Sequence, residues 1–197
     1  MPLSDLKGKY QPETVTARSP LPPLPAGVRI IVAFDQALDS TGVVTYDGTD
    51  VTAWTLRSDP ETKSLTGHAR TLARSVDLQD HLMGTIDSLI ADHRHVRVLY
   101  ETPATARGQM RRTESSLMGA HCVEWACHIM MEDPDSGCFS VSAQKAKSVV
   151  AGNPRADKAE VREAIKATYL PEQTDPCTND HERDALALIV THLKAKK

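Results

Sequence analysis

The chain lacks the usual marks of a secreted, membrane-bound or broadly basic protein. Its four cysteines, Cys122, Cys127, Cys138 and Cys177, contain no Cys-x-x-Cys pair, so their spacing spells neither a disulfide framework nor a zinc site. His121-Cys122 and Cys127-His128 come nearest to a zinc set, but two cysteines five apart on a helix do not face each other, which makes them core residues. No apolar N-terminal segment reads as a signal peptide and no apolar run is long enough to span a bilayer. The expectation is a cytoplasmic protein with reduced thiols, with a viral or mobile-element copy acting in a host cytoplasm as one source. Basic residues number 23 against 26 acidic, a formal net charge of -3, so any nucleic-acid contact must rest on local patches. A P-loop is missing, and Asp39 with Thr41 and Gly42 has no second Asp-x-Gly loop to complete a nucleotide-hydrolysing site.

What is present fits one α/β domain, since 197 residues allow a complete core but are short for two. Residues 1–27 carry Pro2, Pro12, Pro20, Pro22, Pro23 and Pro25, which remove backbone donors and favour extended chain. They read as a disordered tail, with the folded domain over 28–197. Apolar, β-branched runs at 28–34, 42–46 and 51–56 predict a three-strand meander, with Asp47, Gly48 and Asp50 as turn residues. Apolar residues at threes and fours from Leu65 to Ile90 predict a long amphipathic helix, irregular near Gly84. Strands at 96–100 and 138–142 alternate with helices at 117–131, 159–168 and 180–196, giving the order βββ, α, β, α, β, α.

Two of these strands end in an acid. Asp35 follows Val28 to Phe34, and Glu101 follows Val96 to Tyr100, so each carboxylate stands where a buried strand meets solvent. His181 and Asp184 lie three residues apart, one turn of the last helix, and face the same way. Asp180 or Glu182 can stand in for His181 within that cluster. Oxygen donors suit hard divalent cations, and an imidazole among them suits manganese as well as magnesium. The pattern therefore points to a nuclease using two Mg2+ or Mn2+ ions about 3.5 to 4 Å apart, with Asp35 as the bridging ligand. Arg107, Arg111 and Arg112 form a basic patch after Glu101, suited to phosphate contacts that position nucleic acid without reading its sequence.

Four stretches together resemble the ribonuclease H-like superfamily, and within it the RuvC-type Holliday junction resolvases. They are Ala33-Phe-Asp-Gln-Ala-Leu-Asp-Ser-Thr-Gly42, Tyr100-Glu-Thr-Pro103, Ala146-Lys-Ser-Val-Val-Ala-Gly-Asn-Pro-Arg-Ala-Asp-Lys158 and His181-Glu-Arg-Asp-Ala-Leu-Ala-Leu188. The resemblance implies a central mixed five-stranded sheet flanked by helices and a homodimer that nicks four-way junctions, or other branched DNA, symmetrically. It places Lys147 and Lys158 beside the scissile phosphate, where an ammonium offsets developing charge, and adds Arg155 to the DNA contacts. The chain departs from the family in carrying Asp35-Gln36-Ala37 where Asp-Pro-Gly is usual, and Thr102-Pro103-Ala104-Thr105 where some members carry an aromatic wedge. The second departure implies weaker junction opening, with flaps and forks as further substrates. Two alternatives use the same residues: a nuclease for RNA-DNA hybrids, and a branched-DNA binder without catalysis.

Overall fold

Ile30 to Phe34 is apolar at every position, so a strand built from it must be covered on both faces. A computed structural model describes residues 14–58, 64–92, 95–102, 110–130, 137–169 and 175–195. In it, β2 (Ile30–Asp35) lies in the interior of a sheet, antiparallel to β3 (Ser40–Tyr46) and parallel to β5 (Val96–Thr102). Beyond β3 comes β4 (Asp50–Arg57), and beyond β5 comes β6 (Gly137–Ser142), again parallel. The first helix, α1 (Gly67–Asp92), runs unbroken through Gly84, so the expected irregularity there is absent.

The expected sheet of five strands has six. Val15–Arg18, inside the segment read as a tail, forms β1 and pairs antiparallel with β4 at the edge, giving the order β1-β4-β3-β2-β5-β6. The prolines on either side conceal this strand, yet they suit an edge position, where one row of donors faces no partner. The chain then packs back on the domain. Leu21 is buried, and the Tyr46 hydroxyl donates to the carbonyls of Leu21 and Pro22, each at 3.0 Å. The folded unit thus begins before Val28, and residues 1–13 of the expected tail lie outside the described residues.

Each strand sends alternate side chains to opposite layers. Val32, Phe34, Val98 and Tyr100 pack under α1 and α2 (Met110–Met130), together with Leu82, Ile86, Val123 and Ala126. Ile31, Ala33, Leu99 and Val141 pack on the other side, beneath α3 (Ala143–Ala151), α4 (Lys158–Tyr169) and α5 (Asp180–Lys194). The sequence reading lacked α3. Ser142 caps its start by accepting from the Lys145 amide at 3.2 Å, and Gly152 ends it in the left-handed conformation at φ 71°. No helix among the described residues is long and apolar enough to cross a membrane.

Candidate active site

The same alternation decides where the two strand-end acids point. Asp35 shares the parity of Ile31 and Ala33, and Glu101 that of Leu99, so both face the layer of α3, α4 and α5. They are also neighbours across the sheet, because Phe34 pairs with Tyr100 one residue earlier. The third contributor is the first turn of α5. Asn179 caps it by accepting from the Glu182 amide at 3.2 Å, and the Arg183 guanidinium ties the preceding loop through Asp175 and the Cys177 carbonyl. His181 then stands over β2, its Nδ1 2.6 Å from Asp35 Oδ2. A carboxylate only accepts, so Nδ1 is the donor of this bond.

The structure separates the acids of this turn by role. Glu182 is buried and turned into the protein, where its carboxylate accepts from the Thr55 hydroxyl at 2.6 Å, the Thr178 amide at 2.6 Å and the Asn179 amide group at 2.8 Å. It fastens α5 to β4. Asp180 is engaged by Arg162 at 2.8 Å, which with burial's smaller opposing effect leaves its carboxyl below the usual range. His181 and Asp184 are the pair that faces Asp35 and Glu101.

Burial and neighbouring charge together set the electrostatics of these groups. Burial, then the charges of Asp35 and Asp184, push the Glu101 carboxyl up to about 7, while Lys147 and Lys158 pull the other way. Burial and then Asp35 push Asp184 up to about 6. The bond to Asp35 raises His181, with burial opposing. Lys158 Nζ lies 3.8 Å from carboxylate oxygens of both Asp180 and Asp184. Glu101, Asp184, Lys147 and Lys158 line one cavity of about 200 Å³, floored by Ala146, Val161 and Leu188.

Among the described residues, no three His, Cys, Asp or Glu side chains converge on one point as they stand. The donor set still fits a hard divalent cation in its chemistry. Three carboxylates and an imidazole stand on one side of the sheet, and burial, then neighbouring like charge, raises two of those carboxyls, a load that a bound cation relieves. Arg155 is exposed in the turn between α3 and α4, Arg111 and Arg112 fall in the first turn of α2, and Arg107 lies outside the described residues. The cysteine and histidine pairs on α2 make no metal cluster; Cys122 and Cys127 are buried and His121 and His128 exposed.

Two residues that hold the site were not singled out from sequence. Gly42, opposite Asp35 in the β2–β3 register, lets α5 approach: a Cβ there would stand 2.2 Å from the main-chain carbon of His181. Gln36 is buried, and its side-chain amide bonds the main chain of Glu101 at both its N–H and its carbonyl.

No protein-family model matches this chain, and no curated protein does. Solved structures do. The structure of Thermus thermophilus RuvC matches with a TM-score of 0.61 at 14% identity, covering 85% of this chain and 95% of that one. Thermus thermophilus RuvC in complex with a Holliday junction substrate matches with a TM-score of 0.59 at 15% identity, over the same shares of the two chains. The fold is RuvC-like. It is thus the ribonuclease H-like architecture that the order of strands, helices and acids implies, with one strand more than expected. In this RuvC-like frame Asp35 and Glu101 close the two central parallel strands, and α5 crosses above them.

Proposed function

We propose that the chain is a metal-dependent endonuclease that cuts branched DNA, with four-way junctions as the first substrate. The observation that carries this reading is the placement of Asp35, Glu101, His181 and Asp184, from three separate elements, on one side of the sheet, with His181 bonded to Asp35 and with Glu101 and Asp184 in a cavity lined by two lysines. The structural likeness to a junction-bound RuvC supports the substrate class.

Asp35, Glu101, Asp184 and the Nε2 of His181 are the donors assigned to Mg2+ or Mn2+, two ions per site. When bound, such ions polarise the phosphodiester and lower the pKa of water for attack on phosphorus. The protein's own groups do the rest. Lys147 and Lys158 place ammonium groups at the cavity wall, where they offset charge that builds on phosphate oxygens. Lys158, though exposed, pairs with Asp180 and Asp184 at 3.8 Å, which places its ammonium beside the acids. Arg155, Arg111, Arg112 and Arg107 are assigned to backbone phosphates.

Symmetric cuts in a four-way junction need two sites related by a two-fold axis, so the active form is assigned as a homodimer. The face formed by α1 and α2 suits that role. It exposes Leu72, and it exposes Val76, Met118 and Trp125 along a groove of about 630 Å³.

The deciding experiment is cleavage of an immobile synthetic four-way junction, with duplex, fork, flap and RNA-DNA hybrid controls, in Mg2+, Mn2+ or chelator. Paired metal-dependent nicks are expected. Preferential cutting of the hybrid would move the chain to the ribonuclease alternative, and tight binding without cutting to the non-catalytic one.

A further inference from the structure

A strand that ends beside its neighbour leaves the neighbour's next N–H and C=O without a ladder partner, and such groups must be satisfied another way. That situation arises here at the carboxylate itself. β2 stops at Asp35, whereas β5 continues through Glu101 and Thr102. Glu101 pairs with Val141 in the register on its β6 side. On its β2 side the partner is a side chain: Gln36 Nε2 donates to the Glu101 carbonyl at 2.5 Å, and the Glu101 amide donates to Gln36 Oε1 at 3.1 Å. One carboxamide thus supplies both halves of the missing rung.

Gln36 has little freedom to do anything else. It is 6% exposed, and its alternation from Asp35 sends it toward α2, where Gly119 stands against it. A Cβ at Gly119 would lie 3.0 Å from Gln36 Cγ, so the helix backbone backs the amide against the strand. A side chain with neither donor nor acceptor would take these partners from the Glu101 carbonyl and N–H in a half-buried setting.

We propose that Gln36 is a positioning residue for the reaction: its carboxamide extends β2 by one rung and thereby fixes the main chain from which Glu101 reaches the site. The inference rests on the nuclease reading above, with Glu101 as a metal-holding carboxylate. It assigns a task to a position between Asp35 and Ala37 where sequence alone shows only a departure from the resolvase pattern. Gln36 touches neither substrate nor metal in this assignment.

The test compares wild type with Gln36→Met, which keeps length and volume but loses both hydrogen bonds, and with Gln36→Asn, which is too short to span both groups. Leu82→Ala, a core truncation under α1, serves as the stability control. Three quantities are read on the full chain: single-turnover cleavage of the junction at saturating Mn2+, junction affinity in chelator, and hydrogen exchange of the Glu101 amide. In Gln36→Met the cleavage rate should fall about 10- to 100-fold, the range for groups that orient a metal-holding side chain. Junction affinity should stay within about twofold, because a positioning residue acts on the chemical step rather than on binding. The Glu101 amide should exchange at least about tenfold faster through local opening.

Should Gln36→Met fail to fold, the same readings on Gln36→Asn decide. A rate within about twofold of wild type overturns the proposal. So does unchanged exchange at Glu101, whatever the rate does, and so does a rate loss matched by Leu82→Ala. A wild-type protein that cuts no DNA with either ion fails at the nuclease reading instead, and the exchange measurement then judges the Gln36 rung by itself.

Discussion

Gly42 and the main chain of His181 occupy adjoining space, so close that a Cβ on Gly42 would stand 2.2 Å from the His181 carbonyl carbon and 2.6 Å from the Glu182 amide nitrogen. Both neighbours are backbone and cannot swing aside. Because Gly42 is also the register partner of Asp35, this bare position brings the start of α5 down onto the site. Gly42→Ala should therefore cost about 1–3 kcal/mol of stability from overpacking. It should also separate His181 from Asp35 and lower cleavage below that of a variant equally destabilised elsewhere. Denaturant midpoints and single-turnover rates check both, and an unchanged midpoint would show that α5 does not sit this close.

Asp35 and Lys147 separate binding from chemistry. Asp35→Asn keeps the shape of the side chain but gives up a charge at the centre of the cluster, so cleavage should vanish while junction affinity in chelator is retained. Near wild-type cutting would remove Asp35 from the mechanism. Lys147→Ala removes one ammonium from the cavity wall and should slow the single-turnover rate by about 10²-fold with the melting temperature kept. An unchanged rate would make Lys147 an ordinary surface lysine.

Burial, and then crowding with like charge, predicts how the metal-free protein responds to pH. The Glu101 carboxyl titrates near 7 in the fold against 4.5 for its ordinary value, and Asp184 near 6 against 3.8. A raised carboxyl binds its proton more tightly when folded, so its stabilising contribution is complete below the unfolded value and is lost as pH rises through the folded one. In chelator the melting temperature of wild type, relative to Glu101→Gln, should fall between about pH 4.5 and 7. Mg2+ or Mn2+ at pH 8 should restore it, since a ligand that binds only the folded state stabilises it. Parallel pH curves for the two proteins would contradict the crowding.

Much of the architecture was legible because burial on two faces demands long apolar runs. Val28 to Phe34 and Val96 to Tyr100 announced β2 and β5, and the acids that end them were visible for the same reason. The three-residue spacing of His181 and Asp184 put both on one side of α5, whereas the inward turn of Glu182 was not legible, since its partner Thr55 is 127 residues away in sequence. β1 was hidden by its length of four residues and by flanking prolines. Helix α3 did leave a signal, Ser142 before it and Gly152 after it, which is the ordinary pair of helix ends. Gln36 left none, because its task exists only once β5 lies alongside β2.

The apolar face of α1 and α2 makes a prediction about assembly. Trp125 is 59% exposed, Leu72 56% and Val76 54%, more than isolated surface apolar residues require. A second copy covering this face should give a dimer in sedimentation equilibrium, and Trp125→Asp should shift it to monomer without loss of helical signal. A Trp125→Asp protein that remains dimeric would place the interface elsewhere.

Truncation at the N-terminus tests the corrected boundary. Removing residues 1–26 deletes β1, so Val51 and Ala53 lose the partners Ala17 and Val15 and the β4 edge becomes open to other chains. It also deletes both acceptors of the Tyr46 hydroxyl, a group inside a fully buried side chain, at a cost of about 1–3 kcal/mol for the unsatisfied donor. Loss of the buried Leu21 side chain adds about 1.5–3 kcal/mol. Several kcal/mol is a large share of a domain's stability, so this variant should melt well below wild type and aggregate on warming. Removing residues 1–13 touches none of these interactions, so the melting temperature of that variant is the reference against which the loss of β1 and Leu21 is read. If both truncations melt with wild type, then β1 and Leu21 do not hold the edge of the sheet, and the folded unit begins near Val28 after all.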